Sequence, residues 1–181
     1  MDQNRQMTTD VQVRPTTEDD RADVLGTVGE AFSSGEGGRR EEVAIVDSVW
    51  SLDASIVACD LVAIVDKEIV GHVLASIGRL DGRAVPGIAP LAVRPDWQGQ
   101  GIGTALMTEL IHQLRQKGFP LVVLLGDPGY YGRFGFQPSG PLDAHYPPVG
   151  VGSPHFQVLR LGGHHEPCSG TYVYSWESPA A

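Results

Sequence analysis

Apolar and polar positions change period several times along the chain, and each change marks an element. Val11 and Val13 alternate with polar neighbours as a short strand, and Thr17-x-x-Asp20 approximates a capping box for a helix running to about Phe32. Ser33 to Gly38 reads as a loop by composition, and Arg39 to about Trp50 as a second helix with Val43, Ile45, Val46 and Val49 on its inner side. Leu61 to Val65 predicts a strand, Asp66 to Glu68 a turn, and Ile69 to Arg79 a second strand. Asp81-Gly82 is a hairpin signal before a third strand that ends at Val93. Pro95 forces Arg94 out of helical geometry. From Ile102 onward, Ile102, Ala105, Leu106, Leu110 and Leu114 recur every three or four positions, an amphipathic helix that stops at Gly118. Leu121 to Leu125 is a continuous apolar run, which suits a strand covered on both faces. A strand, a helix and a strand in that order predict a right-handed parallel crossover.

Beyond Gln137 the pattern weakens. Pro138 to Pro154 is rich in Pro and Gly and reads as loop, whereas Phe156 to Leu161 and Thr171 to Trp176 read as two antiparallel strands joined by Gly162 to Gly170. Met1 to Asp10 reads as a mobile tail and Ser178 to Ala181 as frayed. The sum is one α/β domain over residues 11–177, with a mixed sheet and helices on both faces.

The segment between the third strand and the long helix carries the chemistry. No Ser, Thr, Asp or Asn stands at the helix start after Gln98, so the first backbone N–H groups lack a side-chain cap. Gly99, Gly101 and Gly103 remove side chains that would keep a ligand from those donors, and the helix dipole adds partial positive charge there. Gln98-x-x-Gly101-x-Gly103 therefore reads as a diphosphate cradle, the alternative being a glycine turn capped by water. A P-loop would need Lys before Thr104, and a dinucleotide fingerprint needs a different glycine spacing from 99, 101 and 103.

This loop resembles the acyl-coenzyme A loop of the GNAT superfamily of N-acetyltransferases, Q/R-x-x-G-x-G/A, after a strand and opening a helix. The resemblance continues in Val11-Gln-Val-Arg-Pro15 with Glu18 to Asp20, in Ile69-Val-Gly-His-Val73, and in Gly126-Asp-Pro-Gly-Tyr-Tyr-Gly-Arg-Phe-Gly-Phe136. It is most similar to the branch of small bacterial predicted acetyltransferases, over roughly residues 11–138 with core motifs at 88–136. The resemblance implies a mainly antiparallel sheet with the parallel crossover at its centre, whose two strands splay to admit a pantetheine arm. It implies acetyl-CoA as cosubstrate, held by Leu91, Ala92, Val93, Gln98, Gly99, Gln100, Gly101, Ile102, Gly103, Thr104, Asp127 and Tyr131, with no metal. Asp127 stands where many members have Asn, which departs from the usual pantetheine contact.

By the same resemblance Tyr131 protonates the departing thiolate; a phenol suits this, since its pKa near 10 is of the order of an alkyl thiol's. Tyr130 and Phe134 read as packing, and Tyr131 with Phe136 can also be read as part of an aromatic core cluster. Backbone N–H groups near Val93 are the implied oxyanion donors, and the first two helices the implied acceptor side. The acceptor that the resemblance implies is a primary amine on a small molecule or peptide. Its proton needs a base, for which Glu30, Asp47, Asp127 and His72 are conceivable. A non-catalytic acyl-CoA sensor and a transferase for longer acyl groups are the alternatives.

Composition narrows partners more than fold. With 181 residues and 41% apolar content the chain suits a single core. Its net charge of -9 argues against nucleic acid and is compatible with a cationic acceptor. The polar first ten residues and the lack of any apolar run of about 18 residues argue against export and membrane insertion. Cys59 and Cys168 are too few for a disulfide framework, so a cytoplasmic setting is expected; the sequence leaves monomer and homodimer both open. His164-His165-Glu166 and Cys168 suggest a metal only weakly, because adjacent histidines in a strand point to opposite faces.

Overall fold

The strand Val57–Val65 is apolar on both faces because helices cover both. Leu61, Ala63 and Val65 join one core cluster while Val62 and Ile64 join another, on the opposite side of the sheet. A computed structural model describes residues 10–33, 38–162 and 169–177. Its strands are β1 (Gln12–Pro15), β2 (Val57–Val65), β3 (Glu68–Leu80), β4 (Arg83–Val93), β5 (Leu121–Leu125), β6 (Gln137–Pro138), β7 (Ala144–His145), β8 (Phe156–Arg160) and β9 (Gly170–Val173). Its helices are α1 (Arg21–Ala31), α2 (Gly38–Trp50), α3 (Ile102–Gln116) and the single turn α4 (Pro128–Tyr131).

The strands run β1-β2-β3-β4-β5-β8-β6 across the sheet, antiparallel except for the central β4–β5 pair. This is the mixed α/β fold expected. α3 lays Ile102, Leu106, Met107, Leu110, Ile111 and Leu114 on one face, all buried, as the 3.6-residue period requires. α1 and α2 cover the other face with Val24, Val28, Val46 and Val49. Thr17 and Asp20 close the predicted cap: the Thr17 N–H donates to the Asp20 carboxylate at 2.8 Å, and Arg14 grips the same carboxylate at 2.6 and 2.8 Å. The first turn after Thr17 is a 3-10 turn, with α1 beginning at Arg21.

Two details of the sheet prepare the site. β4 and β5 pair only at Gly87–Val123 and Ile88–Leu124, so beyond Ile88 they part. In the same region β4 carries a bulge, with Ala89 and Pro90 opposite the single residue Leu74 of β3. A bulge bends its strand, and proline offers no N–H for a further rung.

The tail corrects the expectation. β8 and β9 do not pair with each other: β8 lies antiparallel between β5 and β6, while β9 lies against the far end of β3 and parallel to β7. Tyr174 to Trp176 also leaves the strand, with a 3-10 turn over Ser175–Glu177. Aromatic burial decides this: Tyr172 and Tyr174 pack at 4.9 Å, Phe156 joins Tyr172 at 5.8 Å, and the Tyr172 hydroxyl donates to Val85 O at 3.1 Å. The stretch read as loop after Gln137 contains the two-residue strands β6 and β7. Most of the proposed tail at 1–10, the loop centre at 34–37, the connector with His164, His165 and Cys168, and 178–181 lie outside the described residues.

Candidate active site

The N-terminus of α3 opens at the point where β4 and β5 part. Its N-cap is Gly101, at φ 85°, where an L side chain would be strained, and no side chain caps the helix. The first turn therefore keeps free N–H donors and the positive end of the helix dipole. A cavity of about 600 Å³ lies over them. It is lined by Leu91, Val93, Gln98, Gly99, Gly101, Ile102, Gly103, Thr104, Asp127 and Tyr131 among the residues the sequence singles out. Trp97, Tyr130 and Arg133 line it as well. Ala92 and Gln100 do not: Ala92 packs with the α1–α2 core, and the Gln100 amide donates to Asp96 O at 3.0 Å.

The loop is held from three sides. Gln98 donates its amide back to Val93 O at 3.0 Å, fastening the turn to β4. Arg94 reaches Glu30 of α1 at 3.3 Å, Glu68 of β3 at 3.1 Å and Asp96 at 3.2 Å. The Arg94 N–H turns inward to Val70 O at 3.0 Å. Successive residues of a strand alternate direction, so the N–H groups of Val93 and Leu91 face the open side where β5 has left.

Opposite the loop stands the turn after β5. Asp127 caps α4, accepting from Gly129 N at 2.9 Å, and Pro128 at the first helical position fits that start. The Gly126 carbonyl accepts from Gln157 Nε2 at 3.0 Å and His155 Nδ1 at 3.2 Å. The Tyr131 ring lies so close on Gly126 that a Cβ there would overlap it. Tyr131 also packs edge-on against Phe136 at 6.0 Å and Tyr130 at 4.9 Å. Burial, with smaller effects from Tyr130 and Glu42, raises the Tyr131 phenol above its ordinary pKa.

Tyr130 is more than packing. Its hydroxyl stands 2.5 Å from the position of a Cβ on Gly103, so that glycine makes room for a phenol rather than merely baring the helix end. Arg133 lies over the Tyr130 ring at 4.6 Å and donates from Nε to Tyr130 O at 2.9 Å. It places a cation on the wall of the cavity. A cationic residue two positions after the Tyr130-Tyr131 pair, facing an anion cradle, was the sequence signal for it.

The candidate proton acceptors separate clearly. Glu30 is tied to Arg94, Asp47 lies 3.7 Å from Arg21, and Asp127 is a helix cap. His72 is fully buried and bonds Asp60 through Nε2 at 2.8 Å. Burial opposes ionisation of Asp60, but the bonds from His72, Thr16 and Trp50 outweigh it and lower its pKa. Glu42, not among the sequence candidates, is different. It shares the buried stripe of α2 with Val46 and Val49, and its Oε2 is buried with no partner. A carboxylate at a core-facing helical position was the signal that could have found it.

Among the described residues no group of three His, Cys, Asp or Glu is placed to hold a metal, and no helix is long and apolar enough to cross a membrane. The free α3 donors, the Arg133 cation and the open cavity fit an anionic cosubstrate such as an acyl-CoA.

Comparison with known proteins agrees with this geometry. The family described as Acetyltransferase (GNAT) family matches residues 32–136. The uncharacterized N-acetyltransferase YjhQ of Escherichia coli K12 is 33% identical over 136 residues, 73% of this chain and 72% of that protein. The crystal structure of the GNAT family N-acetyltransferase YhbS from Escherichia coli in complex with CoA superposes with a TM-score of 0.80 at 27% identity, covering 92% of this chain and 90% of that one. A GNAT family acetyltransferase from Brucella melitensis in complex with acetyl-CoA gives a TM-score of 0.74 at 31% identity, over 91% and 95%. The chain belongs to the GNAT acetyltransferase family.

Proposed function

We propose that this chain is an acetyl-CoA-dependent N-acetyltransferase that transfers acetyl directly to a primary amine of a small molecule or peptide. The observation that carries the reading is a single cleft in which the uncapped end of α3 faces the Tyr131 phenol. The CoA and acetyl-CoA in the YhbS and Brucella structures support the choice of cosubstrate. Acetyl-CoA, when bound, supplies a thioester carbonyl for attack and a thiolate as leaving group.

The protein's part is binding, orientation and proton placement. The free N–H groups at the start of α3 take the diphosphate, with Arg133 adding a positive charge beside them. The N–H groups of Leu91 and Val93, on the unpaired edge of β4, receive the pantetheine arm and the developing oxyanion. Tyr131 holds a proton at its hydroxyl. Because burial raises its pKa, the phenol stays protonated at neutral pH and yields only to a strongly basic neighbour, as a thiolate in a low-dielectric cleft is.

Calorimetric titration with acetyl-CoA, free coenzyme A and longer acyl-CoA esters, with thiol release measured against polyamines, amino acids, aminoglycosides and peptides, tests the reading. Acetyl-CoA binding with amine-dependent thiol release is expected. Absence of binding overturns it. Equal turnover of longer esters replaces the acetyl assignment with a broader one.

A further inference from the structure

A direct transfer needs something to take the proton of the acceptor ammonium, and the strands flanking the cleft provide nothing. β4 carries no acid along Arg83–Val93, and β5 carries none along Leu121–Leu125. Glu30, Asp47, Asp60 and Asp127 each have another partner. Glu42 has none.

Its place in the fold is unusual for a carboxylate. Positions 42, 46 and 49 lie on one stripe of α2, and that stripe packs into the core formed with α1 and β4. Glu42 is thus half-buried one turn before Val46, and its Oε2 is buried without a hydrogen bond. Holding a carboxylate oxygen out of water without a partner is costly. Val46 and Val49 of that stripe pack with Ala92 of β4, the residue between Leu91 and Val93 of the cleft, and the Glu42 charge adds to what raises the Tyr131 phenol.

Resting on the transferase reading above, we propose that Glu42 is the catalytic base, accepting the proton of the acceptor ammonium on the α2 side of the cleft while Tyr131 serves the leaving side. An N–H bond of the ammonium breaks, an O–H bond forms on Glu42, and the freed lone pair makes the new C–N bond. The C–S bond breaks with its electron pair on sulfur, which takes the Tyr131 proton. Of the two protons the amine loses, one restores the phenol and the other leaves to water, so that amine and thioester become amide and thiol.

The surroundings of Glu42 suit this role. Burial raises its pKa above the ordinary glutamate value, and Glu41 on its own helix adds to the effect. Of the ionisable residues on the elements packed against α2, Arg21 pairs with Glu18 and Asp47, Glu30 with Arg94, and Glu177 with the Tyr146 hydroxyl and Tyr174 N. Asp23 lines a separate surface groove with Glu30 and Arg94. Arg83 stands at the opposite end of β4 from the cleft. Among the described residues none of these neutralises Glu42, whose carboxylate is thereby poised to take a proton.

Glu42→Gln keeps the shape and removes the base. In the ligand-free protein, a carbon-13 titration of glutamate carboxyls, with the Glu42 signal assigned by its loss in the variant, should show a midpoint above the other glutamates. The variant should bind acetyl-CoA within about twofold of wild type yet lose about 100-fold in kcat/KM at pH 7. That deficit should shrink as pH approaches the pKa of the amine, because free amine needs no base, and Glu42→Asp should recover part of it. An ordinary Glu42 midpoint, or a variant with the wild-type pH profile, overturns Glu42 and leaves the transferase reading standing. Failure of the wild type to bind acetyl-CoA overturns the transferase reading itself. If wild type binds but no amine in the panel releases thiol, the titration alone decides.

Discussion

The Tyr130 hydroxyl stands over Gly103, 2.5 Å from where a Cβ would lie, and so crosses from the turn after β5 to the bare end of α3. The two walls of the cleft are thereby fitted to each other before any ligand arrives. Gly103→Ala should push the phenol aside and weaken coenzyme A binding by about tenfold, or about 1.4 kcal/mol. Tyr130→Phe removes the clashing oxygen, so the double variant should bind better than the sum of the singles by about 0.5–1 kcal/mol. Calorimetry of the four proteins tests this; strictly additive losses would show that the contact does not govern binding.

Tyr131→Phe should leave coenzyme A affinity within about twofold and cut turnover by about 100-fold or more. Because burial places the wild-type phenol above its usual range, the activity should show no fall near pH 10 from loss of this proton. Stopped thiol release over pH 6–10 measures both, and unchanged turnover removes Tyr131 from the acid role.

The clamp at the start of α1 makes stability depend on acid. Arg14 holds the Asp20 carboxylate well below its ordinary range, with help from Thr17 and against the opposing effect of burial. A group whose pKa is depressed on folding stabilises above its unfolded pKa, near 3.9, and loses that contribution as pH falls towards the folded value. Asp20→Asn should therefore cost about 1–2 kcal/mol at pH 7 and progressively less below about pH 4. Urea unfolding at both pH values measures the difference; equal costs would mean that charge is not what the clamp uses.

Cys59 should be silent in thiol assays. Burial pushes its pKa up to about 12, and its Sγ lies 3.4 Å from Gln113 Oε1. At pH 8 only about one molecule in ten thousand would carry the thiolate, the reactive form. With Cys168→Ser in place, an aromatic disulfide reagent should label nothing in the folded protein and one thiol after unfolding. Fast native labelling would show that β2 opens far more readily than its packing implies.

Parts of this structure were legible wherever neighbours in the chain decide the outcome. The stripe from Ile102 to Leu114, the bare start of α3 and the turn at Asp81-Gly82 follow from side-chain period and backbone rules acting over a few residues. β8 and β9 were not legible in the same way. Two apolar runs in sequence suggest a hairpin, yet Tyr172 and Tyr174 are buried by Phe156 and by β4, and that long-range packing draws β9 to β3.

The site divides along the same line. The glycines, the missing cap and the Gln98 loop, as local features, and Tyr131, through a motif, led from sequence to the proposed cradle and the proposed acid. Only the tertiary structure decided that Gly103 yields to Tyr130, that Gln98 ties back to Val93, that Arg133 joins the wall, and that the Glu42 Oε2 is buried unpaired. Those facts depend on which distant groups meet and which find no partner, and no stretch of chain encodes that until the whole has packed.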